Sequence, residues 1–105
     1  MASPLPNSVE TLIQRHIRTI AELEVLLLTR SAKDRSWAAD DAARALRTSR
    51  ESAGSGLDAL VRKGFLRLEA DGYRYAARAD LDDAVGDLDR AYARYRTRII
   101  SMIFQ

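Results

Sequence analysis

The hydrophobic period of the chain changes at Phe65, and this change constrains the fold more than any other feature. Before this residue the apolar positions recur at helical spacing, whereas over 66–76 they alternate with polar residues, as in a half-buried strand. Asp71–Gly72 is a signal for a type I′ turn in the middle of the alternating segment. A loop of these two residues places Glu69 opposite Arg74. The sequence therefore predicts helices followed by one β-hairpin.

Helical patterns occupy the first part of the chain. Ser8 is positioned to cap a first helix, and Thr19 with Glu22 forms a capping-box pattern for a second. The second helix is apolar almost all round, so we expect it to be central and buried. Its apolar residues are Leu23, Val25, Leu26, Leu27 and Leu28.

Two further helices lead into the hairpin. After a polar connector, Trp37 is an expected core anchor in front of a short helix over 39–46. Thr48 and Glu51 form another capping-box pattern, and Gly64 is positioned to end the helix that follows. The expected buried face of that helix consists of Ala53, Leu57, Leu60 and Val61.

The C-terminal segment has the pattern of one long helix from Asp80, its expected cap, to about Phe104. Apolar residues recur there at alternating spacings of four and three, which is the heptad pattern of a coiled coil. They are Leu81, Val85, Leu88, Tyr92, Tyr95, Ile99 and Met102, with Ile103 and Phe104 widening the stripe. We therefore expect a homodimer through the first and last helices. The alternative is a helix that folds back on its own domain.

Composition excludes several classes of function. The chain of 105 residues has no cysteine, which excludes disulfides, thiolate metal sites and cysteine nucleophiles. His16 is the single histidine, so a His–His metal pair is excluded and a Ser-His-Asp triad is disfavoured. Neither a signal peptide nor a membrane span is evident, so we expect a cytoplasmic protein. No combination of residues indicates catalysis, so we expect neither enzymatic activity nor a cofactor.

Charge permits nucleic-acid binding without indicating it. The pI of about 9.3 rests on a formal net charge of only +2. The basic residues are spread along the chain and form no basic arm or strongly positive block.

The order of these elements resembles the winged-helix branch of the helix-turn-helix proteins, found in bacterial transcriptional regulators of the MarR-like and related groups. The resemblance covers roughly residues 20–78. It rests on the central helix over 21–28, the tryptophan-led segment 36–43, the Leu-x-x-Leu-Val-x-x-Gly-Phe-Leu run over 57–66 and the hairpin over 67–75.

The fold that this resemblance implies is mainly α with a small β-hairpin, a winged helix-turn-helix. We expect residues 1–8 to be a flexible lead and residues 9–79 to be the winged-helix domain with its N-terminal helix. Residues 80–105 would form a long dimerisation helix.

The resemblance also implies where such a protein would contact double-stranded DNA. The helix over 48–63 would lie in the major groove, and the hairpin would contact the backbone or the minor groove. The residues that the resemblance assigns to DNA contact in and before this helix are Arg47, Ser49, Arg50, Ser52 and Ser55. In the hairpin over 67–75, which is called the wing in this fold, they are Arg67 and Arg74. Read without the resemblance, the same residues are helix caps and a solvated helix face.

The sequence leaves two main functions open. The first is a dimeric DNA-binding transcriptional regulator. The second is a winged-helix adaptor that binds another protein without binding DNA, through the outward face of the same helix. That face carries Glu51, Ser55, Asp58 and Arg62, flanked by Ser52 and Ala59. A third hypothesis is a small-molecule pocket at the dimer interface, lined by Tyr92 and Tyr95.

Overall fold

Helices and one small sheet account for most of the chain. The structure, a computed structural model, describes residues 4–104. The helices are α1 (Asn7–His16), α2 (Ile20–Ser31), α3 (Ala39–Leu46), α4 (Arg50–Arg62), α5 (Ala79–Arg94) and α6 (Arg96–Ile103), and the strands are β1 (Ser36–Trp37), β2 (Leu66–Glu69) and β3 (Gly72–Tyr75).

The central position expected for α2 is confirmed. Its cap forms as predicted, since the Thr19 hydroxyl accepts a hydrogen bond from the Glu22 backbone N–H at 3.1 Å. The Glu22 carboxylate in turn accepts from the backbone N–H of Arg18 at 3.0 Å, one residue before the cap. Leu23, Val25 and Leu26 are completely buried. α2 therefore forms the middle of the core against which α4 packs.

The hairpin forms, but its turn is one residue earlier than predicted. Glu69 pairs with Gly72 and Arg67 with Arg74, so the two-residue loop consists of Ala70 and Asp71. β1 adds a third strand beside β3, in the order β1-β3-β2, which the sequence did not predict. This third strand explains the shift, because Gly72 has to lie within β3 against β1. A Cβ atom at Gly72 would lie 2.6 Å from the carbonyl oxygen of Trp37.

The prediction of one long C-terminal helix is wrong. The helix breaks at Tyr95, whose φ of −126° and ψ of 43° are not helical, and α6 begins at the next residue. The break lets α6 pack against α1, where Ile99 is fully buried and Ile103 nearly so. α5 also packs on α1. The heptad spacing therefore runs through two helices and cannot form one continuous coiled-coil seam.

The first and last helices share one hydrophobic core with the rest of the chain. Leu5, within the expected lead, is buried in that core together with Val85 and Ile99. Ser8 does not cap α1, which already begins at Asn7; its hydroxyl instead donates to the Asp87 carboxylate of α5 at 2.8 Å. Likewise α5 begins at Ala79, before its expected cap Asp80.

Candidate nucleic-acid interface

A tight turn joins α3 to α4 and sets the start of α4. Arg47 takes a left-handed conformation with a φ of 55°, and the Thr48 backbone N–H donates to the Ala43 carbonyl at 3.0 Å. α4 begins at Arg50, so Thr48 lies one residue too early to cap it. Ser49 does so instead, its hydroxyl accepting from the Ser52 backbone N–H at 3.0 Å. The predicted capping box of Thr48 and Glu51 is therefore wrong by one residue.

α4 is held tightly on its inner face. Ala53, Leu57 and Leu60 are completely buried, as predicted. Gly56 allows the close approach of α2, because a Cβ atom there would lie 3.3 Å from the Ala21 carbonyl oxygen. Gly64 ends the helix as predicted, with a φ of +88° and the Schellman pair of hydrogen bonds that follows from it.

The other end of α4 is fastened through Lys63. Its ammonium donates to the Glu22 carboxylate and to the His16 carbonyl, both at 2.6 Å. Glu22 is buried, so this contact ties the end of α4 to α2 and to the end of α1. The inner face and both ends of α4 are thus fixed, which leaves its outer face as a rigid surface.

The outward face of α4 is exposed from its first turn to its last. Glu51, Ser52, Ser55, Asp58 and Arg62 are all exposed, as predicted from the spacing. Ala59, expected at the edge of this face, is instead buried.

The charges at the start of α4 are only partly paired. Arg50 forms an ion pair with Asp40 of α3 at 3.1 Å, with both side chains largely exposed. Arg47 is exposed and forms no ion pair with any residue of the described range 4–104. Arg47, Ser49 and Arg50 are therefore exposed side chains that follow closely in the sequence where α4 begins.

The wing residues expected to contact DNA are engaged within the wing. Arg67 and Arg74 both bind the carboxylate of Glu69, at 3.0 and 2.8 Å. The hydrogen bond from Arg74 is the main cause that lowers the pKa of Glu69 below its ordinary value. Arg74 also donates to the Asp34 carbonyl at 2.6 Å. The predicted pairing of Glu69 with Arg74 is confirmed as a contact, although the two are diagonal and not opposite in the ladder.

Two contacts that sequence reasoning missed fix the wing in place. Tyr73 donates its hydroxyl hydrogen to the Asp58 carboxylate at 2.5 Å, which joins the wing to the outward face of α4. Tyr75 donates to Asp82 of α5 at 2.7 Å, and Arg30 binds the same carboxylate at 3.0 Å. The hydrogen bond from Tyr75 is the largest of the effects that lower the pKa of Asp82. No local pattern marks these pairs, because each joins residues from separate elements.

Of the residues expected at a dimer interface, the fold buries some within the single chain and leaves others half-buried or exposed. Val85, Leu88 and Ile99 are completely buried within the single chain, and Ile103 is nearly so. Phe104 is 76% exposed. Leu81, Tyr92, Tyr95 and Met102 are half-buried. Much of the heptad stripe therefore packs on this chain's own core, as in the alternative considered from the sequence.

Neither a metal cluster nor a membrane span was found within residues 4–104. Those residues contain no group of three or more acidic or histidine side chains able to hold a metal ion. No helix in the same range has the length and apolar character to cross a membrane. Tyr95 lines an open cavity of about 310 Å³ together with Arg90 and Arg94, and Tyr92 is not part of its lining.

Two solved structures of S. aureus MepR mutants are similar to this chain, one of them bound to an oligodeoxyribonucleotide. The TM-scores are 0.60 for the first and 0.59 for the DNA-bound one, and each is 16% identical to this chain. Each covers 90% of this chain, which in turn covers 72% and 71% of the respective MepR chains. No protein-family model matches the sequence, and neither does any curated protein. MepR is a MarR-family winged-helix regulator, and this chain therefore has the winged-helix fold that its sequence predicts.

Proposed function

We propose that this protein is a homodimeric, DNA-binding transcriptional regulator and not an enzyme. α4 would serve as the recognition helix in the major groove, and the wing would lie along the adjacent backbone. The observation that carries the proposal is the state of Arg47 at the start of α4.

Arg47 is placed unfavourably for folding and favourably for binding an anion. A non-glycine residue in the left-handed region costs about 1 kcal/mol relative to glycine. The side chain does not offset this cost with an ion pair, because it is exposed and unpaired within residues 4–104. Strained residues of this kind concentrate at functional sites. Beside Arg50 and the Ser49 cap, Arg47 is positioned to bind a DNA phosphate at the helix N-terminus.

The remaining geometry is compatible with insertion into a groove. The outward face of α4 is exposed throughout, while its inner face and ends are fixed by the core, Lys63 and Gly64. The similar MepR structure with a bound oligodeoxyribonucleotide supports the same use of the fold. In the dimer, two copies of α4 would meet successive major grooves about 34–36 Å apart on a roughly palindromic site.

The homodimer interface would consist of those residues of the heptad stripe that a single chain leaves exposed or half-buried. Phe104 is the most exposed large apolar side chain within residues 4–104, and Met102 nearby is only half-buried. The partner surface would be α1 and α6 of the second copy. The fully buried members of the stripe would support this interface from behind without entering it.

The test is the binding of the chain to sheared genomic DNA across a salt series. Neutralised phosphates release counterions, so the logarithm of the affinity should fall linearly with the logarithm of the salt concentration, with a slope of about −0.9 per phosphate contacted. If no binding is detected even at low salt, the DNA-binding proposal is wrong.

One observation favours a second candidate, the protein-binding adaptor. Both arginines of the wing are bound to Glu69, and the outward face of α4 carries the acidic Glu51 and Asp58. An adaptor would bind its partner through this mixed-charge face. Absence of DNA binding at low salt, combined with a monodisperse folded chain, would favour the adaptor.

A further inference from the structure

Glu51 is the one acidic side chain on the outward face of α4 that the fold leaves without a partner. It lies in the first turn, it is exposed, and it makes no ion pair or side-chain hydrogen bond with any residue between 4 and 104. The acidic groups around it differ in this respect. Asp40 is bound to Arg50, and Asp58 accepts the hydroxyl hydrogen of Tyr73.

An unpaired carboxylate at this position changes the affinity of α4 for DNA. It repels phosphates, so it lowers the affinity for every DNA sequence to a similar extent. The repulsion is offset only where a base edge offers a hydrogen-bond donor to the carboxylate. In the major groove cytosine presents its N4 amino group as such a donor. Adenine also presents an amino group, but its N7 acceptor lies beside it and opposes a carboxylate.

We propose that Glu51 is a specificity-determining residue that accepts a hydrogen bond from the N4 amino group of a cytosine. This inference rests on the proposed DNA binding by α4, where residues near the helix N-terminus contact base edges. Glu51 then acts in two ways: it stabilises sites with cytosine at one position of each half-site, and it weakens binding to other sequences. Specificity gained by penalising wrong partners is common at selective interfaces.

The experiment compares the native chain, Glu51→Gln and the control Asp89→Asn. Asp89 is exposed on α5, so the control removes the same charge outside α4 and the wing. Each protein is used to select sites from a pool of randomised duplexes, and its affinity is then measured for the selected duplex and for one with the cytosine pair replaced.

We expect the native chain to select a cytosine at a fixed position and to lose affinity on the order of tenfold when that pair is replaced. Glu51→Gln should lose this discrimination, bind unrelated duplexes more tightly and shift towards adenine, which glutamine contacts through N6 and N7. Asp89→Asn should keep the native preference and the native affinity for unrelated duplexes.

The outcomes separate this inference from the function on which it rests. DNA binding by the native chain without a cytosine preference, or an unchanged preference in Glu51→Gln, overturns the role of Glu51 alone. Failure of the native chain to bind any duplex overturns the DNA-binding proposal and the role of Glu51 with it.

Discussion

Arg47 and Gly72 both have a positive φ, but for different reasons. Gly72 has a φ of +140° and no space for a Cβ atom, because the backbone of Trp37 lies against it. Arg47 has a φ of 55° in the turn between α3 and α4, where a glycine would fit with less strain. The sequence identifies Gly72 as a turn signal, but not the approach of β1 that requires it. This approach depends on pairing between Trp37 and Tyr73, which lie far apart in the chain.

Replacing Arg47 by glycine should separate stability from binding. Arg47→Gly relieves the left-handed strain, so we expect the free energy of unfolding to rise by about 1 kcal/mol. The same change should weaken DNA binding and reduce the salt slope by about one phosphate contact. Denaturant unfolding and the salt series measure the two effects.

Arg18→Ala provides the control for Arg47→Gly, since the exposed Arg18 side chain lies in the connection between α1 and α2. It should leave the salt slope close to that of the native chain. A slope in Arg47→Gly equal to that of the native chain would show that Arg47 does not contact DNA.

At the scale of elements, the interiors of the helices are easier to predict than their ends. The bounds of α3 and the Gly64 termination of α4 follow from the sequence. The caps proposed at Ser8, Thr48 and Asp80 do not, because adjacent residues compete to start a helix. Which residue succeeds depends on tertiary contacts, such as the hydrogen bond from Ser8 to Asp87.

Gly54 and Gly56 lie on the same helix and should respond to alanine in opposite directions. At Gly54 a Cβ atom would make ordinary contact, 3.9 Å from that of Ala39, so Gly54→Ala should stabilise the chain by about 1 kcal/mol through helix propensity. At Gly56 the new atom would press on the backbone of Ala21, which cannot move without displacing α2. Gly56→Ala should therefore destabilise the chain by about 1 kcal/mol despite the gain in propensity.

The pair of alanine variants is compared by thermal unfolding. We expect the melting temperature to rise for Gly54→Ala and to fall for Gly56→Ala. A rise of equal size in both would mean that α2 and α4 do not approach as closely as this packing requires.

For the whole molecule, the winged-helix order of the elements could be predicted from the sequence. The surface against which the heptad stripe packs could not. Periodicity identifies an apolar face, but it does not distinguish the chain's own core from a second subunit. Val85, Leu88 and Ile99 are completely buried in the core of their own chain. The break at Tyr95 has no proline or glycine to signal it.

Two exposed apolar side chains, one on α6 and one on the wing, provide a matched test of the dimer. Phe104 is 76% exposed at the end of α6, and Leu68 is 60% exposed on the wing. Burial of an aromatic side chain in an interface contributes about 1.5–3 kcal/mol, so Phe104→Asp should raise the dimer dissociation constant by about tenfold or more. Leu68→Asp should leave it unchanged. Light scattering after size-exclusion chromatography measures both, and a native chain that is monomeric at micromolar concentration would contradict the homodimer.

The outward face of α4 is the surface that we propose contacts DNA. The most direct measurement is a titration of the isotope-labelled chain with duplex DNA, followed through the backbone amide resonances. We predict that the largest shifts occur at the start of α4, around Arg47, Ser49 and Glu51, and continue along its outward face to Asp58. Shifts confined to the segment of α5 and α6 that carries Arg90, Arg94, Arg96 and Arg98, with α4 unaffected, would contradict this proposal.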